Sequence, residues 1–138
     1  MEPPLTFEPL NELETKLQAV CQGRCDFADF GRLLLLSKLV VALDRPVPQD
    51  TTSQLALDPL RVKSPKGYSV LAAFTHPSRV LPWREKAPAH TFLLMLAAPA
   101  LLKGANPAFG LALNPGWPVS LELPPHELDR FLRAHRVR

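Results

Sequence analysis

Residues 109–123, FGLALNPGWPVSLEL, constrain the fold more than any other stretch of the chain. Phe109, Leu111 and Leu113 share one face of an extended segment. Val119, Leu121 and Leu123 share one face of a second, with Ser120 and Glu122 turned the other way. Each strand so defined has one dry face and one wet face. Between them Asn114-Pro115-Gly116 suits a type II turn, because proline presets φ at the second position and Gly116 can adopt the positive φ required at the third. Pro118 has no N–H to give a ladder, which confines it to a strand end or a sheet edge. An edge marked in this way is a poor surface for extending the sheet between subunits, so a monomer is expected ahead of a homodimer.

Upstream, two amphipathic helices open the chain after an extended, proline-stiffened lead over residues 1–8. Asn11 can cap the first, with Glu14 three residues on in a capping-box pattern, and Leu10, Leu13, Leu17 and Val20 form its apolar stripe until Gly23 ends it. Asp26 starts the second, with Phe27, Phe30 and Leu34 on one side. Lys38 to Leu43 then reads as a strand buried on both faces and set at the sheet centre. Val47 to Gln54 is a polar connection, Leu55 to Val62 a strand bulged near Asp58-Pro59, and Tyr68 to Phe74 a third strand, the three forming an antiparallel meander. Thr75 can cap a short turn from His76 to Leu81, stopped at Pro82. Thr91 to Leu102 is apolar on every side, and its length predicts a buried helix kinked or ended at Pro99. Pro124-Pro125 open a last helix with Leu128, Phe131 and Leu132 inward, followed by a frayed basic tail over residues 134–138. This order predicts an α+β fold: a single mixed or mainly antiparallel sheet of about five strands with flanking helices, in one domain spanning residues 1–138.

Composition removes several classes of function. No apolar run reaches a membrane-spanning length, and the N-terminus shows no signal peptide, so a cytoplasmic protein without a membrane partner is expected. The 16 prolines outnumber the 6 glycines but are dispersed between the periodic segments, as stiff turns and not as a polyproline ligand. The formal charge of +3 is largely local to Arg130, Arg133, Arg136 and Arg138. A solvated helix end whose cations complement the macrodipole explains these residues better than a nucleic-acid interface, since no aromatic residues are interleaved to stack bases. Cys21 and Cys25 have no second pair and no histidine at ligand spacing, so no metal and no cofactor is expected, and two reduced thiols are favoured over a disulfide.

Three phrases in series, FEPLNELETKLQAV, LAAFTHPSRV and LALNPGWPVSLELPPHELDRFL, resemble the N-terminal domain of the SseB family, named for enhanced serine sensitivity. The resemblance covers nearly the whole chain. It implies a small α+β module of bacterial cytoplasmic proteins, many of which carry a further C-terminal domain, and it brings over no catalytic residues.

The residues themselves point the same way. There is no G-x-S-x-G elbow around Ser78 and His76, no phosphate-cradling glycine cluster, and the acidic pairs Glu12/Glu14 and Asp26/Asp29 sit at helix starts, where the macrodipole accounts for them. Loop aromatics are the better candidates. Trp83 beside Arg84, and Trp117 beyond the Asn114-Pro115-Gly116 turn, are of the type that anchors interfaces, although each indole can also cap a core edge. The expectation is a non-enzymatic interaction or regulatory module recognising a protein partner through Thr75, His76, Trp83, Arg84, Asn114, Pro115, Gly116 and Trp117. The first alternative is a small hydrolase or transferase using Thr75, His76 and Asn114. A second is nucleic-acid binding by the C-terminal arginines.

Overall fold

The structure is a computed structural model that describes residues 7–45 and 59–137. Helix α1 (Glu12–Cys21) begins at Asn11, whose side chain accepts from the Glu14 N–H at 2.9 Å, and Gly23 ends it with φ 74°. Helix α2 (Phe27–Leu35) buries Phe30, Gly31 and Leu34. Strand β1 (Lys38–Leu43) follows, buried from Leu39 onward. The expected connection from Val47 to Gln54, the lead before Phe7 and the first part of the Leu55–Val62 strand lie outside the described residues. The described part of that expected strand overlaps β2 (Arg61–Lys63) only at Arg61 and Val62, and β2 pairs antiparallel with β3 (Ser69–Ala73).

The segment from Thr91 to Leu102 is a strand followed by a helix, and not one buried helix: β4 (Phe92–Ala97) runs directly into α4 (Ala98–Gly104). Pro99 lies in the first turn of α4, where its missing N–H costs nothing, instead of kinking or ending a helix. β4 pairs antiparallel with β1 along the whole length of both strands. The hairpin is as expected, with β5 (Gly110–Leu113) and β6 (Leu121–Leu123) antiparallel to each other. One detail differs, because β5 is buried at all four positions and has no wet face. Its neighbour β3 covers one edge in parallel register, while α5 (Pro125–Ala134) packs Leu128, Phe131 and Leu132 inward.

The strands therefore form two sheets, β1-β4 and β2-β3-β5-β6, in place of a single sheet of about five strands. Nor do the first three strands make a meander. Among the described residues β1 pairs with the second sheet only through isolated bridges, Val40 to Phe74 and Leu43 to Pro59. The division places apolar residues in two clusters. The larger lies between the sheets' inner faces and the helices, around Leu17, Phe30, Leu34, Leu39, Leu113 and Leu132, and the smaller holds Val40, Ala42, Leu60, Ala72, Phe74 and Val80. Each fully buried Leu or Phe in them contributes about 1.5–3 kcal/mol. Gly110 allows β5 to lie close to its neighbour, since a Cβ there would collide with the Leu123 carbonyl oxygen.

Candidate functional site

Because β3 and β5 are parallel, their carboxyl ends emerge side by side, and the chain segments that follow meet there. Asn114 N–H donates to the Ala73 carbonyl at 2.9 Å, which locks the two ends in register. Asn114 itself has φ 53°, a left-handed conformation that asparagine tolerates better than most residues. Trp117 N–H then closes the turn on the Asn114 carbonyl at 3.1 Å, with Gly116 at φ 89° in the third position, as the turn chemistry predicts.

The segment after β3 is capped by His76 and not by Thr75. The His76 Nδ1 accepts from the Ser78 N–H at 3.1 Å and faces the Ser78 hydroxyl at 2.9 Å, and a 3-10 turn runs over Pro77–Val80. Thr75 is freed for another task. Its N–H donates to Asn114 Oδ1 at 3.0 Å, its hydroxyl accepts from Asn114 Nδ2 at 2.7 Å, and that hydroxyl donates to Glu14 Oε2 at 2.5 Å. Asn11, besides capping α1, donates to the Thr75 carbonyl at 2.9 Å.

Glu14 and Arg79 complete the arrangement, with side chains 0% and 5% exposed. The guanidinium binds both carboxylate oxygens, Nε to Oε2 at 2.9 Å and Nη2 to Oε1 at 2.6 Å, and Nη2 also reaches the Glu8 carbonyl at 2.6 Å. Leu10 N–H donates to Glu14 Oε1 at 2.9 Å. With bonds from Leu10, Thr75 and the Nε and Nη2 of Arg79, the carboxylate is saturated. Burial pushes its pKa up, but the hydrogen bonds from Arg79, Thr75 and Leu10, together with the Arg79 charge, outweigh burial and hold it below the usual carboxylate value. Phe7 and Trp117 enclose the guanidinium, their ring centres 4.0 and 4.6 Å from its carbon.

The two indoles staple the segments together. Trp117 Nε1 donates to the Arg79 carbonyl at 2.7 Å, and Trp83, in the short helix α3 (Trp83–Lys86), donates from Nε1 to the Pro115 carbonyl at 2.7 Å. Thr75, His76, Trp83, Asn114, Pro115, Gly116 and Trp117 are thus brought together at one end of the sheet. Arg84 is exposed on the outer side of α3. Sequence reasoning missed Glu14 and Arg79. A signal for the first was present, because Glu14 shares the helical stripe of Leu10, Leu13 and Leu17, where an acidic residue needs a buried partner.

Chemically the arrangement holds loops in place. Among the described residues every buried side-chain nitrogen and oxygen has a hydrogen-bond partner, and no group of three or more His, Cys, Asp or Glu is placed to hold a metal. Cys21 and Cys25 are free thiols, and a shallow groove between α1 and α2 near Cys25 is lined by charges of both signs. No described helix is long and apolar enough to cross a membrane. A two-sheet α+β domain whose parallel strand ends are closed by a buried ion pair is the class these features define. The chain belongs to the SseB protein N-terminal domain family, whose pattern matches residues 13–130, in agreement with the resemblance carried by its three phrases. No curated protein and no solved structure matches it.

Proposed function

We propose that the domain is a non-enzymatic protein-interaction module of a cytoplasmic protein, with its contact surface on the outer side of the stapled loops. The observation that carries this reading is the direction of the polar groups. Thr75, Asn114, Glu14 and Arg79 are all turned inward and bonded to one another. The outer side presents Leu81, 53% exposed, and the exposed Arg84 three residues on, while Gly116 lies beside Pro82 and the Trp83 indole. An apolar residue beside an arginine, on loops that lose little entropy when bound, is the composition of an interface anchor.

The test is affinity capture with Leu81→Asp combined with Arg84→Glu, two exposed positions whose replacement leaves the buried network intact. Wild type is expected to retain a protein that the double variant loses, while both melt at the same temperature. Equal capture by the two proteins removes the surface.

The hydrolytic alternative has less support. Thr75 Oγ1 donates to a carboxylate held in its ionised form by Arg79, so Glu14 is a poor base for it, and His76 Nδ1 is engaged by Ser78. Nucleic-acid binding by the C-terminal arginines is weaker again, since Arg133 is paired with Asp129 at 2.8 Å on the same helix.

A further inference from the structure

Among the described residues β4 is paired on one edge only, and the pairing shows which of its groups face the other. Val40 exchanges both its backbone bonds with Phe74, each at 2.8 Å, on the side of β1 away from β4, and the Ala42 carbonyl accepts from Leu60 N–H on that same side. Val40↔Met95 and Ala42↔Leu93 are therefore non-hydrogen-bonded pairs of the β1-β4 ladder. It follows that the N–H and C=O of Leu93 and Met95 point out of the sheet, along an edge with no strand beside it among the described residues.

The side chains here are equally bare. Phe92, Leu93 and Met95 are 43%, 44% and 51% exposed, while Leu94 and Leu96 turn to the core. The sequence FLLMLA contains no charge, no proline and no glycine, so the residues that usually blunt an edge strand are missing from it. The opposite edge of the larger sheet differs in each respect: β6 is three residues long, carries Glu122 and is preceded by Pro118.

We propose that β4 is a self-association edge on which a second copy of this chain docks its own β4, antiparallel, about a two-fold axis at Leu94. This surface is separate from the stapled loops. In that register Leu93 of each copy faces Met95 of the other as a hydrogen-bonded pair, so outward donors and acceptors answer one another and exposed apolar side chains lie side by side. A second copy is the occupant the chemistry favours. Its strand is as uncharged as the one it meets, whereas a strand bearing charges would strand them over Leu93 and Met95. A six-residue edge covers less than the roughly 800 Å² per partner of a standard interface, so the dimer forms at high protein concentration.

Sedimentation velocity from micromolar to millimolar protein tests this. The wild-type mass is expected to climb from 15.3 kDa towards about twice that value, with the Leu93 and Met95 amides gaining exchange protection as it does. Met95→Lys, at an exposed position, should remain monomeric with an unchanged circular dichroism spectrum. Leu94→Cys in a Cys21→Ser, Cys25→Ser background should give a cross-linked dimer on oxidation, because facing residues of a non-hydrogen-bonded pair approach most closely. A wild type that stays at 15.3 kDa throughout, with those two amides unprotected, overturns the proposal and leaves the edge to a strand of another protein. Self-association by Met95→Lys equal to wild type overturns it as well.

Discussion

The loop end around Arg79 and the outer edge of β4 resolve the same problem in opposite ways. At the loop end, charged and polar groups are buried and each is bonded, at the cost of desolvating an ion pair. At β4, apolar side chains and backbone amides are left facing outward. Rigidity in this domain is concentrated where loops converge, because the lead and the segment after β3 are tied directly to one carboxylate and the Asn114 turn is tied to it through Thr75. The self-association proposed for β4 would use a surface that contributes little to holding the monomer together.

The largest effect is expected from removing one half of the ion pair. Arg79→Met leaves Glu14 buried without its partner and is expected to cost about 3–5 kcal/mol in urea unfolding. Adding Glu14→Leu should recover much of the loss, since an apolar pair of similar volume avoids the uncompensated charge. If Arg79→Met alone costs less than about 1 kcal/mol, of the size expected for an exposed pair, then the loop end is solvated and the contrast with β4 fails.

Asn114→Ala comes next. It loses the bonds to the Thr75 N–H and hydroxyl and places alanine at φ 53°, for an expected loss of about 2–3 kcal/mol by chemical denaturation. Asn114→Gly restores the backbone freedom but not the bonds, so it should fall between alanine and wild type. A glycine variant as damaged as the alanine one would assign the whole effect to the side-chain bonds.

Much of this geometry was legible in the sequence. The Asn114 turn announces itself because proline and glycine restrict φ locally, and the hairpin, both opening helices and the closing helix follow from periodicities of two and near four. Burial in the third dimension was not legible at two places. After Thr91 no polar residue sets a period until Lys103, so a strand running into a helix looks the same as one apolar helix. Arg79 lies 65 residues from Glu14, and nothing local in PSRVL shows that its charge faces inward. The candidate residues at 75–76, 83 and 114–117 stand in segments marked by turn chemistry, but the inward bonds of Thr75, Trp83, Asn114 and Trp117 come from contacts between distant segments.

Acid provides a gentler probe of the same cluster. Glu14 has a pKa below its ordinary value of 4.5 in the folded chain, so its contribution is complete above that value and is lost as pH falls through the lowered one. Wild type should therefore lose stability more steeply below about pH 4.5 than the Glu14→Leu, Arg79→Met pair, read as the urea midpoint against pH. Parallel curves for the two proteins would mean that other carboxylates govern acid unfolding.

The smallest expected effect lies at β4, and its smallness is what makes it informative. Met95 is half exposed and its side chain is absent from both apolar clusters, so Met95→Lys should change monomer stability by no more than about 0.5 kcal/mol while abolishing association. Thermal melts at dilute concentration isolate the first quantity and sedimentation the second. A loss of stability comparable to that of Asn114→Ala would place Met95 among the groups that hold the monomer together. The two regions would then differ in chemistry only, and not in what they do for the fold.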